Sequence, residues 1–398
     1  MASIKNATLY NQYDFRRYID RDNFTAVMNA ANAKYNSLSS RDAMWRLLGD
    51  WGTPSDSKVW SQGQKTIPIM ARASLLSTHG LKPMRNTSGW KFYTGSTPKM
   101  GHGFTFGEDD MFMLRDAKNN TGQSLRDLIY DSIITNSRSI LGGIHNEITH
   151  MCMELASTGE IHEQSVDGVA YDFTYDFEQS QFFTCDPAWF TEDADGKVTA
   201  NSSATVLDDI LNIQETLTYV QGREVNAWMI NKSTIDKILS HPSILNSFLS
   251  WKSNGVAQSG TYPATRVEVL AFLHDRGVWP IMPIDFKSVH EEDGKPVADA
   301  PAFSPYTMVA FNAQRKLFDI KCTNSIWRDR QNYGGIGNHT LYSFVEDRIA
   351  VLSTWHENPI HNTTEFELYA APVFKNLADY GLVTLYSAYT PDESDESD

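Results

Sequence analysis

Cysteine is scarce in this chain. The 398 residues hold three, Cys152, Cys185 and Cys322, far apart and without a Cys-x-x-Cys pair. An odd, scattered set excludes a disulfide or zinc framework and reads as reduced thiols in a cytosolic compartment. Sequons such as Asn86-Thr-Ser then carry no glycosylation signal. Long apolar runs are missing as well: nothing approaches the roughly 18 consecutive apolar residues of a membrane-spanning helix. The opening MASIKNATLYNQYDFRRYIDRD is polar and mixed in charge, unlike a secretory signal. Positive charge is in deficit, with a formal net charge of −15, where a conventional nucleic-acid reader shows a basic surface.

Catalytic signatures are absent too. There is no GxxxxGK[ST], no GxSxG and no cysteine placed like a nucleophile. GHGFTFG (101–107) lacks the GxGxxG spacing, and no strand–helix pair frames it. In HNEITH the histidines, His145 and His150, stand five apart and diverge by about 140° on a helix. Glu147 and His150 match the Glu-x-x-His of di-iron bundles, but that chemistry needs a second copy of the motif. In HENPIH (His356 to His361), Pro359 forbids a helical ligand pair, and nothing in the sequence supports a loop site there. His290-Glu291-Glu292-Asp293-Gly294 reads as a solvated turn. Trp90, Trp189, Trp228, Trp279 and Trp355 suit cores or interfaces. No catalytic residue, metal or cofactor is assigned, and a non-enzyme is expected.

What is present is ordinary globular material, 41% hydrophobic and 12% aromatic, long enough for two or three lobes. Charge is unevenly spread. Residues 1–120 carry 16 Lys+Arg against 10 Asp+Glu, and the rest carries 18 against 39. A positive N-terminal third suits packing against its own acidic body or a neighbouring copy's.

Order along the chain is mixed α+β. Residues 1–80 show short helical patterns (FTAVMNAANAKY, RDAMWRLLGDW) broken by Gly52 and Pro54. Residues 81–120 are rich in glycine and aromatics, and WKFY (90–93) and MFML (111–114) have strand propensity. They suggest a long two-stranded projection, marginal in water unless it lies on something. From Ser124, apolar residues recur three or four apart at Leu125, Leu128, Ile129, Ile133, Ile140, Ile144, Ile148, Met151 and Leu155. This predicts one helix over 124–158, about 50 Å long, capped at Ser124 and ended by Gly159; Gly142-Gly143 should weaken or bend it. A hairpin around Asp167-Gly168 follows, with Val169, Tyr171, Phe173, Tyr175 and Phe177 on one buried face. Then come a helix closed by Gly222, a strand VNAWMI, a helix capped by Ser233, strands VEVLAFL, VWPIMPI and TMVAFN, and a final strand GLVTLYSAY. The tail PDESDESD lacks apolar residues and should be disordered.

The helix end ELASTGEI running into VDGVAYDF, then DDILNIQETL, VNAWMINKSTIDKILSHPSI and the closing ENPIHNTTEFELYAAPVFKNLADYGLVTLYSAY, resemble the major capsid proteins of tailed double-stranded DNA bacteriophages. That fold is shared with the herpesvirus shell floor and with encapsulins. The resemblance spans roughly residues 81–389 and lies in element order. It implies an N-terminal arm (1–80), an extended β-hairpin loop (81–120), a peripheral domain (121–205 and 350–390) with the spine helix 124–158, an axial domain (206–349) and an acidic tail (391–398). It implies self-assembly as hexamers and pentamers into an icosahedral shell, formed in the host cytoplasm. Packaged double-stranded DNA would be enclosed without sequence-specific contact, and scaffolding, portal and decoration proteins would be partners. Any scaffold is expected to be a separate chain. An encapsulin-type cargo compartment is the main alternative, and a metal-dependent enzyme the remote one. Lys82, Arg85, Trp90, Lys91, Phe92, Tyr93 and Lys99 are the candidate inter-subunit contacts, with Arg72 in the same basic third. A Lys–Asn cross-link through Lys91 or Lys99 has no identifiable asparagine partner. If the basic loop meets acidic surface on adjacent copies, Lys91→Glu with Lys99→Glu impairs assembly; intact particles in the electron microscope would speak against that pairing.

Overall fold

The computed structural model describes residues 21–36, 41–65, 89–121, 125–164, 170–192, 197–252, 265–292, 295–332 and 340–386. The Ser124 cap, the Asp167-Gly168 turn and the acidic tail lie outside them. The chain divides into two compact units: residues 1–60, 94–152 and 319–373, and residues 61–93, 153–318 and 374–398.

The first unit is built on a six-stranded sheet. Its centre is the long strand Ile360–Phe374, which pairs with Ile349–Glu357, Lys99–Phe106 and Phe318–Thr323; Thr340–Val345 and Gly49–Trp51 lie at the edges. Glycine lets Lys99–Phe106 come close, because a Cβ at Gly101 would sit 2.1 Å from the Phe366 carbonyl oxygen. The helix Leu125–Thr158 runs as the periodicity predicts, with Ile129, Ile133, Ile144, Ile148, Met151 and Leu155 buried. Gly142 has a packing reason: a side chain there would meet the Tyr35 hydroxyl at 2.5 Å. That hydroxyl donates to the Arg138 carbonyl at 2.7 Å. Gly159, at φ +81°, ends the helix, its N–H donating to the Leu155 carbonyl.

A buried polar network ties the N-terminal segments of this unit together. Glu346 accepts from Asn32 Nδ2 (2.5 Å) and Arg46 (2.6 Å) on one carboxylate oxygen and from Trp51 Nε1 (2.5 Å) on the other. Trp45 Nε1 donates to His145 Nδ1 (3.3 Å), so the imidazole proton is on Nε2, which donates to Asn32 Oδ1 at 3.1 Å. Burial opposes ionisation of Glu346, but Arg46 and Trp51 outweigh it and hold the carboxyl below its ordinary value. Burial lowers His145 to about 4 and keeps it neutral.

The second unit holds a five-stranded sheet in the order Ile281–Ile284, Ala227–Asn231, Thr307–Phe311, Tyr380–Thr384, Phe182–Thr184. Ala227–Asn231 is buried at every position, as suits a central strand covered on both faces. Helices Val206–Glu215, Lys232–Leu239, Pro242–Lys252 and Arg266–Asp275 supply Ile210, Ile235, Phe248 and Phe272 to a core with Trp189 and Trp228.

Several expectations need correction. MFML lies in the helix Glu108–Thr121, where Glu108, Asp109 and Asp110 fill the first turn and favour its positive end. VEVLAFL lies in the helix Arg266–Asp275, started by a capping box between Thr265 and Glu268. The cap before Lys232 is Asn231, whose side chain accepts from the Ser233 N–H. Among the described residues of 81–120, the strands do not pair with each other: Trp90–Ser96 pairs with Val59–Lys65, and Lys99–Phe106 joins the six-stranded sheet. The sheets also divide at other places than 205/206 and 349/350. Residues 318–323 and 340–345 pair within the first unit's sheet, and Tyr380–Thr384 pairs with Thr307–Phe311 in the second.

His145 makes the first unit acid-sensitive. The unfolded imidazole titrates at 6.5 and the folded one at about 4, so between these values the unfolded chain binds the extra proton. Stability is therefore full above pH 6.5 and falls as pH drops towards 4. Thermal melts followed by tryptophan fluorescence should show a falling midpoint across that window. His145→Gln should flatten the trend, and an unchanged slope in the variant would refute the assignment.

Candidate assembly interface

The strand Trp90–Ser96 has two unlike faces because successive side chains alternate. Tyr93 and Lys91 point one way, onto the second unit's own surface. Tyr93, 8% exposed, donates its hydroxyl to the Asp176 carbonyl at 2.9 Å and packs on the Tyr175 ring with centroids 4.9 Å apart. Burial raises its phenol above the ordinary value. Lys91 Nζ donates to both the carbonyl and carboxylate oxygens of Asp176 at 2.6 Å; the bond to that carboxylate raises its ammonium pKa. Tyr175 extends this aromatic floor to Phe177 and Phe374, and its hydroxyl accepts from the Phe374 N–H at 3.0 Å. Upstream in the hairpin Glu160–Gln164/Ala170–Thr174, His162 sits between Asp172 and Glu160, each 3.0 Å from a ring nitrogen. Those bonds, Asp172's first, push it up to about 9.

Trp90 and Phe92 point the other way and touch little. They are 63% and 69% exposed and stack on each other, with centroids 6.4 Å apart. Both lie across Gly63 of the paired strand, where a Cβ would meet the Phe92 ring at 3.1 Å and the Trp90 ring at 3.3 Å. Trp90 and Phe92 therefore form an exposed aromatic pair on one face of the strand.

Of the seven predicted contacts, Trp90, Lys91, Phe92 and Tyr93 come together on this strand. Lys82 and Arg85, like Arg72, fall outside the described residues. Lys99 lies in the first unit, where its Nζ is 2.9 Å from Glu367, whose hydrogen bond raises the lysine pKa. Arg46–Glu346 and Lys91–Asp176 are two further ion pairs between residues of the basic third and acidic residues of the same chain. Among the tryptophans, Trp189, Trp228 and Trp355 are buried and Trp279 is half-buried, leaving Trp90 as the exposed one of the five.

No protein-family model and no curated protein matches the chain. Among solved structures, a prophage capsid protein from E. coli CFT073 superposes with a TM-score of 0.49 at 12% identity, covering 92% of this chain and 98% of its own. A phage-related protein from Bordetella bronchiseptica RB50 gives 0.46 at 11%, covering 89% and 95%. The capsid of cyanophage A-1(L) gives 0.43 at 13%, covering 88% and 94%.

Tyr93→Phe removes the hydroxyl that docks the inner face. It is expected to cost about 1 kcal/mol, read as faster amide exchange across residues 90–96 at an unchanged global melting temperature. Unchanged exchange would mean that the contact to Asp176 does not hold the strand.

Proposed function

We propose that this chain is a structural virion protein that assembles as hexamers and pentamers into an icosahedral shell around double-stranded DNA. The observation that carries the reading is the two-faced strand Trp90–Ser96, anchored to its own chain through Tyr93 and Lys91 and bare at Trp90 and Phe92. A neighbouring copy is the partner that such a repeated surface suits, since head-to-tail contacts that close generate rings. In this reading the extended loop includes the paired strands Val59–Lys65 and Trp90–Ser96. The first unit's sheet and spine helix form the peripheral domain, and the second unit's five-stranded sheet the axial one. The acidic body encloses DNA without gripping it, because phosphate contacts need a basic surface. Scaffolding, portal and decoration proteins are its expected partners, and no described helix is long and apolar enough to cross a membrane.

Negative-stain electron microscopy of the purified chain across salt and concentration tests this directly. Closed shells, rings or sheets are expected, and nucleic-acid or protein contents separate a virus shell from a cargo compartment. Trp90→Ala with Phe92→Ala should abolish these assemblies while leaving the circular dichroism and melting of the unassembled chain unchanged. Normal particles from that variant, or a wild-type chain that stays monomeric even with a phage scaffold coexpressed, would overturn the proposal.

A further inference from the structure

HENPIH, unable to present two ligands on a helix, is a β-turn. The strands Ile349–Glu357 and Ile360–Phe374 meet across Asn358-Pro359, which sets His356 directly opposite His361. Their rings stack with centroids 4.4 Å apart and 13° between planes. His361 Nδ1 lies 2.8 Å from the Pro359 carbonyl oxygen. A carbonyl only accepts, so Nδ1 carries the proton and the lone pair is on Nε2. This hydrogen bond to a backbone carbonyl is how proteins fix the tautomer and orientation of a metal-ligating imidazole. Among the described residues, the outermost pairs of the flanking strands are Asn362 with Phe106 on one side and Thr340 with Thr354 on the other. His356 is exposed and His361 half-buried, so an ion can reach both.

We propose that His356 and His361 form a two-imidazole site for a borderline divalent cation such as Zn2+, Ni2+ or Cu2+, with solvent filling the remaining positions. Imidazole nitrogen suits these ions, whereas Mg2+ and Ca2+ demand oxygen ligands. The strand register holds the two rings together in advance. Rotation of the His356 side chain alone, about soft torsions, turns its lone pair towards an ion at His361 Nε2 and leaves the His361–Pro359 hydrogen bond in place. With two protein ligands where a structural zinc site has four, binding is reversible and the fold does not depend on it.

The test uses the full chain, stripped with EDTA and titrated with Zn2+ by calorimetry, then loaded with Cu2+ for electron paramagnetic resonance. One ion per chain is expected, with nitrogen hyperfine structure from two imidazoles and no response to Mg2+. His356→Gln and His361→Gln should each weaken binding at least about tenfold and leave one imidazole in the spectrum, with thermal melting unchanged. His290→Gln, on a separate hairpin, should leave binding as it was. Absence of saturable Zn2+ binding, or binding that survives both substitutions, overturns the site.

Discussion

The first unit is organised around one carboxylate. Glu346 collects hydrogen bonds from a helix (Asn32), a short turn of helix (Arg46) and a strand end (Trp51). Through Asn32 it reaches His145 on the spine helix. A buried carboxylate is tolerable only when its lone pairs are filled and a cation faces it; here three donors and Arg46 do both. The backbone accepts strain to place it. Glu346 and Asp347 both have positive φ (53° and 61°) in a tight turn closed by the Arg348 N–H on the Val345 carbonyl. Asn-Gly would fit such a turn more easily, but neither residue carries the negative charge that Arg46 needs. Arg328 holds Asp347 from outside through its carbonyl and carboxylate, and Arg348 spans from the Glu346 carbonyl to the Gly52 carbonyl. Strain of this kind persists where the surroundings over-determine it.

Much of this architecture is legible in the chain, and the failures have physical causes. The spine helix shows because its apolar spacing is sustained over many turns and Gly159 supplies the only sterically easy exit. Val267 and Val269 weigh towards a strand in VEVLAFL, yet Thr265 and Glu268 cap a helix there, and a cap outweighs small propensity differences. MFML fails the same way against Glu108-Asp109-Asp110. Strand partners are harder still. WKFY reads as a strand with two faces, but nothing local says that it pairs with residues 59–65, because pairing across such a separation is decided by side-chain packing on both faces. Glu346 is invisible for a related reason: in sequence it is one acidic residue in VEDR, and its role exists only once distant segments have met.

The same contrast applies to the two candidate sites. For the aromatic strand, period-two alternation by itself separates Trp90 and Phe92 from Lys91 and Tyr93; which pair stays bare depends on Tyr175 and Asp176, contributed from elsewhere in the chain. For HENPIH, Pro359 argues against the histidines as a helical pair, and the turn at Asn358-Pro359 sets them as cross-strand neighbours. A five-residue separation is a poor ligand spacing on a helix and a natural one across a tight hairpin.

Magnitudes explain why the bare aromatic face fits repeated association better than a single tight complex. Covering the exposed parts of Trp90 and Phe92 returns about 5 kcal/mol gross, at roughly 25 cal/mol for each Å² of apolar surface. Bringing two free molecules together costs a comparable or larger amount in lost translation and rotation. One such contact is therefore marginal. When the contact is head-to-tail and closes a ring, the last subunit joins through two contacts while losing its freedom once, so closure is favoured over open chains. If copies associate through this face as proposed, a weak, identical surface on each yields a closed assembly and a tractable free subunit. That requires the strand to be held rigidly before the partner arrives, which the Tyr93 and Lys91 bonds to Asp176 provide.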